Sequence, residues 1–142
     1  DMVVAADTAS FCLSEVKLGL IPAVISPYVV RAIGGRASRR FFQTAETFSA
    51  AKAAELGLVS EVVPAEQLAE VRDRWIKALS GNGPQAMQAA KELAFRATED
   101  ELNDDLRDWT ANRIATIRAS DEGREGVRAF LEKRKPTWLG GH

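Results

Sequence analysis

The sequence has very little of the side-chain chemistry on which many enzymes depend. It contains one cysteine, Cys12, and one histidine, His142, which is its last residue. This excludes a disulfide framework, a thiolate metal cluster, histidine-based triads and histidine-rich metal sites. Acid and base chemistry must then come from carboxylates, lysine or tyrosine, or from a segment outside this sequence. Because no histidine lies near Cys12 to activate it, we interpret it as a buried structural thiol.

An excess of charge of one sign and long apolar runs are also missing. The 19 basic and 20 acidic residues leave a net charge of −1, so no overall field attracts nucleic acid or an anionic membrane. The longest apolar stretch, residues 18–25, is far shorter than a membrane span, and the first residues lack the pattern of a signal peptide. We therefore expect a soluble, cytoplasmic protein without nucleic acid or a membrane as a partner.

Apolar residues make up 46% of the 142 residues, which is enough to form a hydrophobic core. Up to residue 63, short β-rich segments alternate with helix signals, and beyond it only the helical spacing of apolar residues remains. The sequence predicts an α/β part over residues 1–63 and a helical lobe over residues 64–142, as two subdomains or as one core with an appended lobe. The β-rich segments are residues 3–6, 10–13 and 58–63.

Several helix ends have local signals. Ser26 followed by Pro27 has the form of an N-cap and a first helical residue, and Gly34-Gly35 has the form of a stop. The lobe carries large apolar residues for so few helices, which predicts an interface with another subunit. Further caps and stops of the same kind are Ser49, Gly57 and Ser120.

Glu15 is the one acidic residue within residues 11–22, and most of its neighbours in this segment are apolar. Such a carboxylate either points to solvent from an alternating strand or is partly removed from water, where it is suited to moving protons. On an extended strand, Lys17 would share its face. The helix that starts at Ser26 follows closely, and its free backbone N–H groups can hold an anion or a polarised carbonyl.

Four segments of the sequence resemble one known family in their order and spacing. They are F-C-L-S-E-V-K-L-G-L-I-P, A-V-I-S-P-Y-V-V-R-A-I-G, F-S-A-A-K-A-A-E-L-G-L-V-S-E-V-V-P and E-G-V-R-A-F-L-E-K-R-K-P. Together they are similar to the crotonase (enoyl-CoA hydratase/isomerase) superfamily over essentially the whole chain. The resemblance implies an α/β fold, the C-terminal part of a crotonase-type ββα spiral core, followed by an α-helical oligomerisation lobe that builds trimers or hexamers.

The resemblance also implies a site that this sequence contains only in part. Asp1, which opens the sequence without an initiator methionine, matches a position midway through the family's fold, so we expect the chain to be the later part of a longer protein. The earlier half carries the oxyanion-hole N–H groups and, in typical hydratases, the first catalytic glutamate. The chain alone is therefore not expected to be a competent active site.

Glu15 matches the family's second catalytic glutamate, one of two acids that add water to a 2-enoyl-CoA thioester. One carboxylate activates the water, the other supplies a proton at Cα, and two N–H groups hold the thioester oxygen. No cofactor is implied beyond the coenzyme A of the acyl-CoA substrate, and no metal. Substrate-binding roles carry over to Leu20, Ala23, Phe130 and Lys133, of which the last two reach the adenine and phosphate end of CoA bound mainly by a neighbouring subunit.

The variant sequence around Glu15 points to a subgroup. Ser14 stands where the family usually has proline, and Ala23 stands where a glycine often lines the water site, which narrows the pocket. This variant is similar to bacterial hydratases of branched glutaconyl thioesters, such as the 3-methylglutaconyl-CoA hydratases of leucine breakdown. The second carboxylate of such a substrate needs a cation or donors. The candidates are Arg31, Arg36, Arg39 and Arg40, and the alternative role for most of them is a solvated basic face.

Two other hypotheses stay open at this point. One is a different crotonase reaction, such as double-bond isomerisation, decarboxylation or thioester hydrolysis, which shares the oxyanion hole and differs in where the acids sit. The other is a CoA-binding or assembly module without catalysis, which is what the sequence predicts for this fragment if no other chain completes it.

Overall fold

Short strands give way to long helices along residues 1–140, which are the residues that the structure, a computed structural model, describes. The strands are β1 (Val4–Ala6), β2 (Ser10–Phe11), β3 (Phe48–Ser49) and β4 (Glu61–Val63). The helices are α1 (Ser26–Thr44), α2 (Ala50–Glu55), α3 (Leu68–Ser80), α4 (Pro84–Glu99), α5 (Asp104–Ala119) and α6 (Asp121–Leu131). Single turns of 3-10 helix occupy Glu15–Leu18, Ala65–Gln67 and Thr137–Leu139.

The chain forms two compact units, Asp1–Trp75 and Ile76–His142. The boundary between these units falls inside α3. The sequence pattern, which changes from short strands to helices, predicts a subdomain boundary after Val63 instead, and that boundary stays a prediction. The last two residues of the predicted lobe, 141 and 142, lie outside the described residues. None of the helices within residues 1–140 combines the length and the apolar content needed to cross a membrane.

The first unit is held together by pairings between segments that are distant in sequence. Strand β1 pairs in parallel with β4, with Ala5 opposite Val62, and β2 pairs antiparallel with β3, with Phe11 opposite Phe48. A parallel pair needs a crossover between its strands, and α1 and α2 lie in that connection. The core that they close consists of Ala5, Val29, Ile33, Phe41, Phe48, Ala50, Ala53 and Val59.

Helix α2 shows why small residues occupy this core. Ala50 and Ala53 are fully buried, because their short side chains let the helix backbone approach its neighbours. As predicted, Ser49 caps the helix, and its hydroxyl accepts a hydrogen bond of 3.2 Å from the N–H of Lys52. Gly57 follows with φ of 84°, in the left-handed region that favours glycine.

Helix α1 is broken at Gly34, which has the non-helical angles φ 76° and ψ 158°. The carbonyl oxygen of Gly34 accepts a hydrogen bond of 2.9 Å from the hydroxyl of buried Ser38. The predicted stop at Gly34-Gly35 is therefore a kink, after which the chain continues as helix. The predicted cap at Ser26 is wrong: Ile25 is the N-cap, and the Ser26 hydroxyl donates to the carbonyl of Ala23 at 2.9 Å.

In the second unit, a carboxylate on one helix caps another. The Glu122 carboxylate accepts hydrogen bonds from the N–H groups of Gln85 at 3.0 Å and Ala86 at 2.8 Å, at the start of α4. The start of α6 has its own cap, since the Ser120 hydroxyl accepts a hydrogen bond of 3.0 Å from the N–H of Gly123. A Cβ on Gly123 would lie 2.1 Å from the carbonyl oxygen of Ile117, so only glycine permits this tight turn.

The segment after α6 is tied back to it by an ion pair. The guanidinium of Arg134 donates to both oxygens of Glu125, at 2.6 and 2.9 Å, and the N–H of Thr137 donates to the same carboxylate at 2.9 Å. These donors, Arg134 first, lower the pKa of Glu125 from 4.5 to about 2. Trp138 lies over Gly126 and points its indole N–H at the carbonyl of Gly81, 3.4 Å away.

We expect Gly34→Ala to lower the free energy of unfolding by about 1–3 kcal/mol, because an L side chain is strained at this φ and ψ. Gly35→Ala is the matched control: its added Cβ would meet only Arg39, at 3.8 Å. It should leave stability unchanged or raise it, since alanine favours helix. Urea unfolding of the protein that carries this chain measures both, and equal effects of the two variants would show that the kink does not need glycine.

A lowered pKa makes the Glu125 pair a source of stability that acid removes. The pair contributes fully above the ordinary pKa of a glutamate, and its contribution is lost as the pH falls from about 4.5 to about 2. We expect Glu125→Gln to lower the melting temperature at neutral pH and the gap to the unmodified protein to close over this interval. Glu101→Gln, at an exposed acid, serves as the control, and a gap that stays constant with pH would contradict the assignment.

Candidate active site

Glu15 lies in a tight turn and not on an extended strand. It begins the 3-10 turn Glu15–Leu18, where its carbonyl oxygen accepts a hydrogen bond of 3.1 Å from the N–H of Leu20. Gly19 closes the turn with φ of 71° and donates to the carbonyl of Val16 at 3.1 Å. The expectation that Lys17 shares a strand face with Glu15 is therefore wrong, because successive residues of a 3-10 turn point in different directions.

The Glu15 side chain is half-buried and incompletely paired. Its Oε2 atom is buried and has no hydrogen-bond partner among residues 1–140. A buried polar atom without a partner costs free energy, so proteins rarely keep one without a reason. The solvated-strand interpretation of Glu15 is thereby excluded, and the partly desolvated one is supported.

Apolar side chains on the residues that follow Glu15 face outward. Leu18 is 77% exposed, Ile21 74% and Val24 89%, while Pro22 between them is buried and anchors the segment. Exposed apolar groups of this density are typical of a surface that binds a ligand or another polypeptide. We call this set the Glu15 surface; its members are Leu18, Leu20, Ile21, Val24, Ile25 and Tyr28.

The start of α1 does not offer the free N–H groups that the sequence predicts. The N–H of Ser26 donates to the carbonyl of Pro22 at 3.0 Å, and those of Tyr28 and Val29 donate to Ile25 at 3.1 and 3.0 Å. Pro27 has no N–H. The predicted anion site at this helix entry is therefore wrong, because local carbonyls already use its donors.

Leu20 and Ala23 both lie on the exposed side of this segment, as substrate-binding residues require. The N–H of Ala23, however, donates to the carbonyl of Ile21 at 2.8 Å. This N–H could donate to a substrate or to a water molecule only if its hydrogen bond to Ile21 were broken. The roles of Leu20 and Ala23 stay predictions.

Phe130 and Lys133 lie at the end of α6 in the second unit. The Phe130 side chain is 82% exposed, and Lys133 has φ of 53°, which ends the helix in the left-handed conformation. The N–H of Lys133 donates to the carbonyl of Phe130 at 3.2 Å. Both side chains thus face away from the unit's own core, and their roles in CoA binding also stay predictions.

Other candidates of the first unit have structural partners. Arg40 donates to both oxygens of Glu46, at 2.5 and 3.0 Å, and this pairing lowers the pKa of Glu46. Cys12 is exposed, and its thiol donates to the carbonyl of Ala45 at 3.4 Å, so the prediction of a buried thiol is wrong. Across residues 1–140, no group of three or more His, Cys, Asp or Glu side chains is arranged to hold a metal ion.

The apolar residues around Glu15 form two groups that the sequence pattern does not distinguish. Phe11 and Leu13 pack against the core, whereas Leu18, Leu20 and Ile21 face outward. The change of side falls at the 3-10 turn Glu15–Leu18, which Gly19 closes, and Gly19 is the local signal of that turn in the sequence. Tyr28, exposed at the start of α1, had no distinguishing signal in the sequence.

Comparisons with known proteins agree on one family. The family model described as enoyl-CoA hydratase/isomerase matches residues 1–141. The "probable enoyl-CoA hydratase" of Mycobacterium bovis is 36% identical over 137 residues, which are 96% of this chain and 53% of that protein. The 2,3-dehydroadipyl-CoA hydratase of Escherichia coli is 32% identical over 142 residues, covering 99% of this chain and 55% of that protein.

Solved structures agree with the sequence comparisons. The enoyl-CoA hydratase of Shewanella pealeana superposes with a TM-score of 0.91 at 49% identity, covering 97% of this chain and 51% of that one. This likeness confirms the predicted fold class. The chain spans about half the length of the curated relatives that it matches.

We expect Glu15→Gln to raise the free energy of unfolding by about 1 kcal/mol, because it removes a charge whose buried oxygen has no partner. Glu66→Gln, at an exposed glutamate of another 3-10 turn, should change stability little. Chemical denaturation of the protein that carries this chain compares the two. A clear loss of stability in Glu15→Gln alone would show that Oε2 has a stabilising partner.

Proposed function

Because the chain belongs to the enoyl-CoA hydratase/isomerase family, we propose that the protein carrying it adds water across the double bond of a 2-enoyl-CoA thioester. Glu15 acts as one of the two proton-transferring carboxylates. The observation that carries this proposal is the buried, unpaired Oε2 of Glu15, which has no structural task among the described residues. A carboxylate kept this way is available to hold or accept a proton of the reacting molecule.

The turn around Glu15 fits this role. Hydrogen bonds from Leu20 and Gly19 fix the backbone of the turn, so the carboxylate is held by a short, rigid element. The Glu15 surface supplies apolar groups that exclude water once a substrate covers them. A proton-transfer group gains from both, because its position is set in advance and competing solvent is removed.

We further propose a substrate with a branched or second-carboxylate acyl group, of the 3-methylglutaconyl type. Support comes from the variant sequence around Glu15 and from a relative whose name gives a dicarboxylic enoyl-CoA, 2,3-dehydroadipyl-CoA, as its substrate. Arg40 is the least available cation for the distal carboxylate, since Glu46 already binds it on two sides. Arg36 and Arg39, both exposed, are the better candidates of the four.

Assembly into a homo-oligomer is part of the same proposal. Phe130 and Leu131 at the end of α6, and Leu102 before α5, are 82%, 72% and 76% exposed in the single chain. Apolar side chains this exposed are stabilised when another subunit covers them. The CoA-binding roles proposed for Phe130 and Lys133 require such an arrangement, because they act on a substrate bound mainly by a neighbouring subunit.

The test uses the protein that carries this chain, with crotonyl-CoA and 3-methylglutaconyl-CoA, and follows the loss of enoyl absorbance. Glu15→Gln should lower kcat by about 10²–10⁴-fold, the usual contribution of a general acid or base, with KM nearly unchanged. Glu66→Gln is the matched control and should keep full activity.

Three outcomes would each contradict a different part of the proposal. No hydration of either substrate would remove the hydratase reaction and favour another reaction of the family or a module without catalysis. Hydration that survives Glu15→Gln would keep the reaction and remove Glu15 from it. A preference for crotonyl-CoA would leave both intact and contradict only the branched or dicarboxylic substrate.

A further inference from the structure

Tyr28 is the one member of the Glu15 surface whose side chain carries a polar group. It lies in the first turn of α1 and is 72% exposed. Its ring suits an apolar surface, and its hydroxyl has one hydrogen to donate. The other members are aliphatic: Leu18, Leu20, Ile21, Val24 and Ile25. A ligand that covers these side chains therefore meets aliphatic groups and a neutral donor.

The position of Tyr28 is fixed by the same helix that supports Glu15. The N–H of Tyr28 donates to the carbonyl of Ile25 at 3.1 Å, which holds the first turn of α1. The next residue, Val29, is buried in the core, so the rotation of α1 is fixed and Tyr28 is turned outward. The 3-10 turn that begins at Glu15 packs against α1. Glu15 and Tyr28 thus belong to one rigid part of the first unit.

The Tyr28 hydroxyl has no hydrogen-bond partner among residues 1–140. The nearby hydroxyl of Ser26, by contrast, donates to the carbonyl of Ala23 at 2.9 Å. An exposed hydroxyl bonds to water, and a ligand that displaces this water loses affinity unless it replaces the hydrogen bond. The Tyr28 hydroxyl therefore favours a ligand with an acceptor at this point over a wholly aliphatic one.

A carboxylate is the acceptor that depends most on such a donor. A charged group that moves from water to an aliphatic surface loses free energy unless a hydrogen bond compensates for it. Hydrogen bonds to a charged acceptor are also stronger than those to a neutral one. Removing the donor should therefore penalise a ligand with a carboxylate and leave an aliphatic ligand unaffected.

We propose that Tyr28 determines which acyl groups the Glu15 site prefers. Its hydroxyl donates a hydrogen bond to the distal carboxylate of the substrate, and aliphatic members of the Glu15 surface contact the carbons of the acyl chain. The assignment rests on the function proposed above, because it takes the Glu15 surface as the place where the acyl group binds. It adds a neutral donor to Arg36 and Arg39, the cations proposed for the same carboxylate.

The test measures binding of two saturated thioesters, which lack the double bond that hydration requires. Glutaryl-CoA and pentanoyl-CoA have acyl chains of equal length, and only the first ends in a carboxylate. Titration calorimetry of the protein that carries this chain gives both affinities. Tyr28→Phe should weaken glutaryl-CoA binding by about tenfold, which corresponds to about 1.4 kcal/mol, and leave pentanoyl-CoA binding unchanged.

Thr98→Val is the matched control, because it removes an exposed hydroxyl that donates to the carbonyl of Ala94 at 2.8 Å in α4. It should change neither affinity, and circular dichroism confirms that each variant is folded. Unchanged glutaryl-CoA binding in Tyr28→Phe, or an equal loss for both thioesters, would overturn the role of Tyr28 and leave the proposed hydration intact. Absence of binding of both thioesters to the unmodified protein would contradict the proposed function itself, and this role with it.

Discussion

The packing of α1 in the first unit is the constraint on which the position of Glu15 depends. Its apolar face, through Val29, Ile33 and Phe41, joins the core that closes over the two short sheets. The ring centroids of Phe41 and Phe48 lie 4.3 Å apart, so helix and strand are in direct contact at its centre. The 3-10 turn of Glu15 packs against this same helix. A carboxylate on a short turn is thereby given the rigidity of a core element.

The region around Glu15 carries two features that lower the stability of the first unit. A buried carboxylate oxygen without a partner weakens the fold, and the exposed apolar residues that follow it expose groups that water solvates poorly. Both features make sense if another molecule or polypeptide completes this face.

The second unit follows a different principle, in which helix ends are satisfied by side chains from neighbouring helices. Glu122 of α6 caps α4, and Glu125 of the same helix binds the segment after it through Arg134 and Thr137. Both carboxylates point to one side of α6 because they are three residues apart. Arg128 follows Glu125 by three residues on the same side of α6, and its charge adds to the lowering of the Glu125 pKa.

Features that depend on residues within a few positions of one another could be predicted from the sequence alone. The caps at Ser49 and Ser120, the left-handed turn at Gly57 and the order of short strands followed by helices were all predictable, because a cap or a turn uses neighbouring backbone groups. The family was predictable too, from motifs in a fixed order.

Burial and long-range pairing are visible only in the folded chain, because they depend on residues that are distant in sequence. The start of α4 is capped by Glu122, which lies 37 residues after Gln85 and 36 after Ala86 in the chain. Cys12 has an apolar neighbourhood in sequence and is nevertheless exposed. The unpaired oxygen of Glu15 could not be predicted either, since a local pattern does not specify which distant groups will come close enough to bind it.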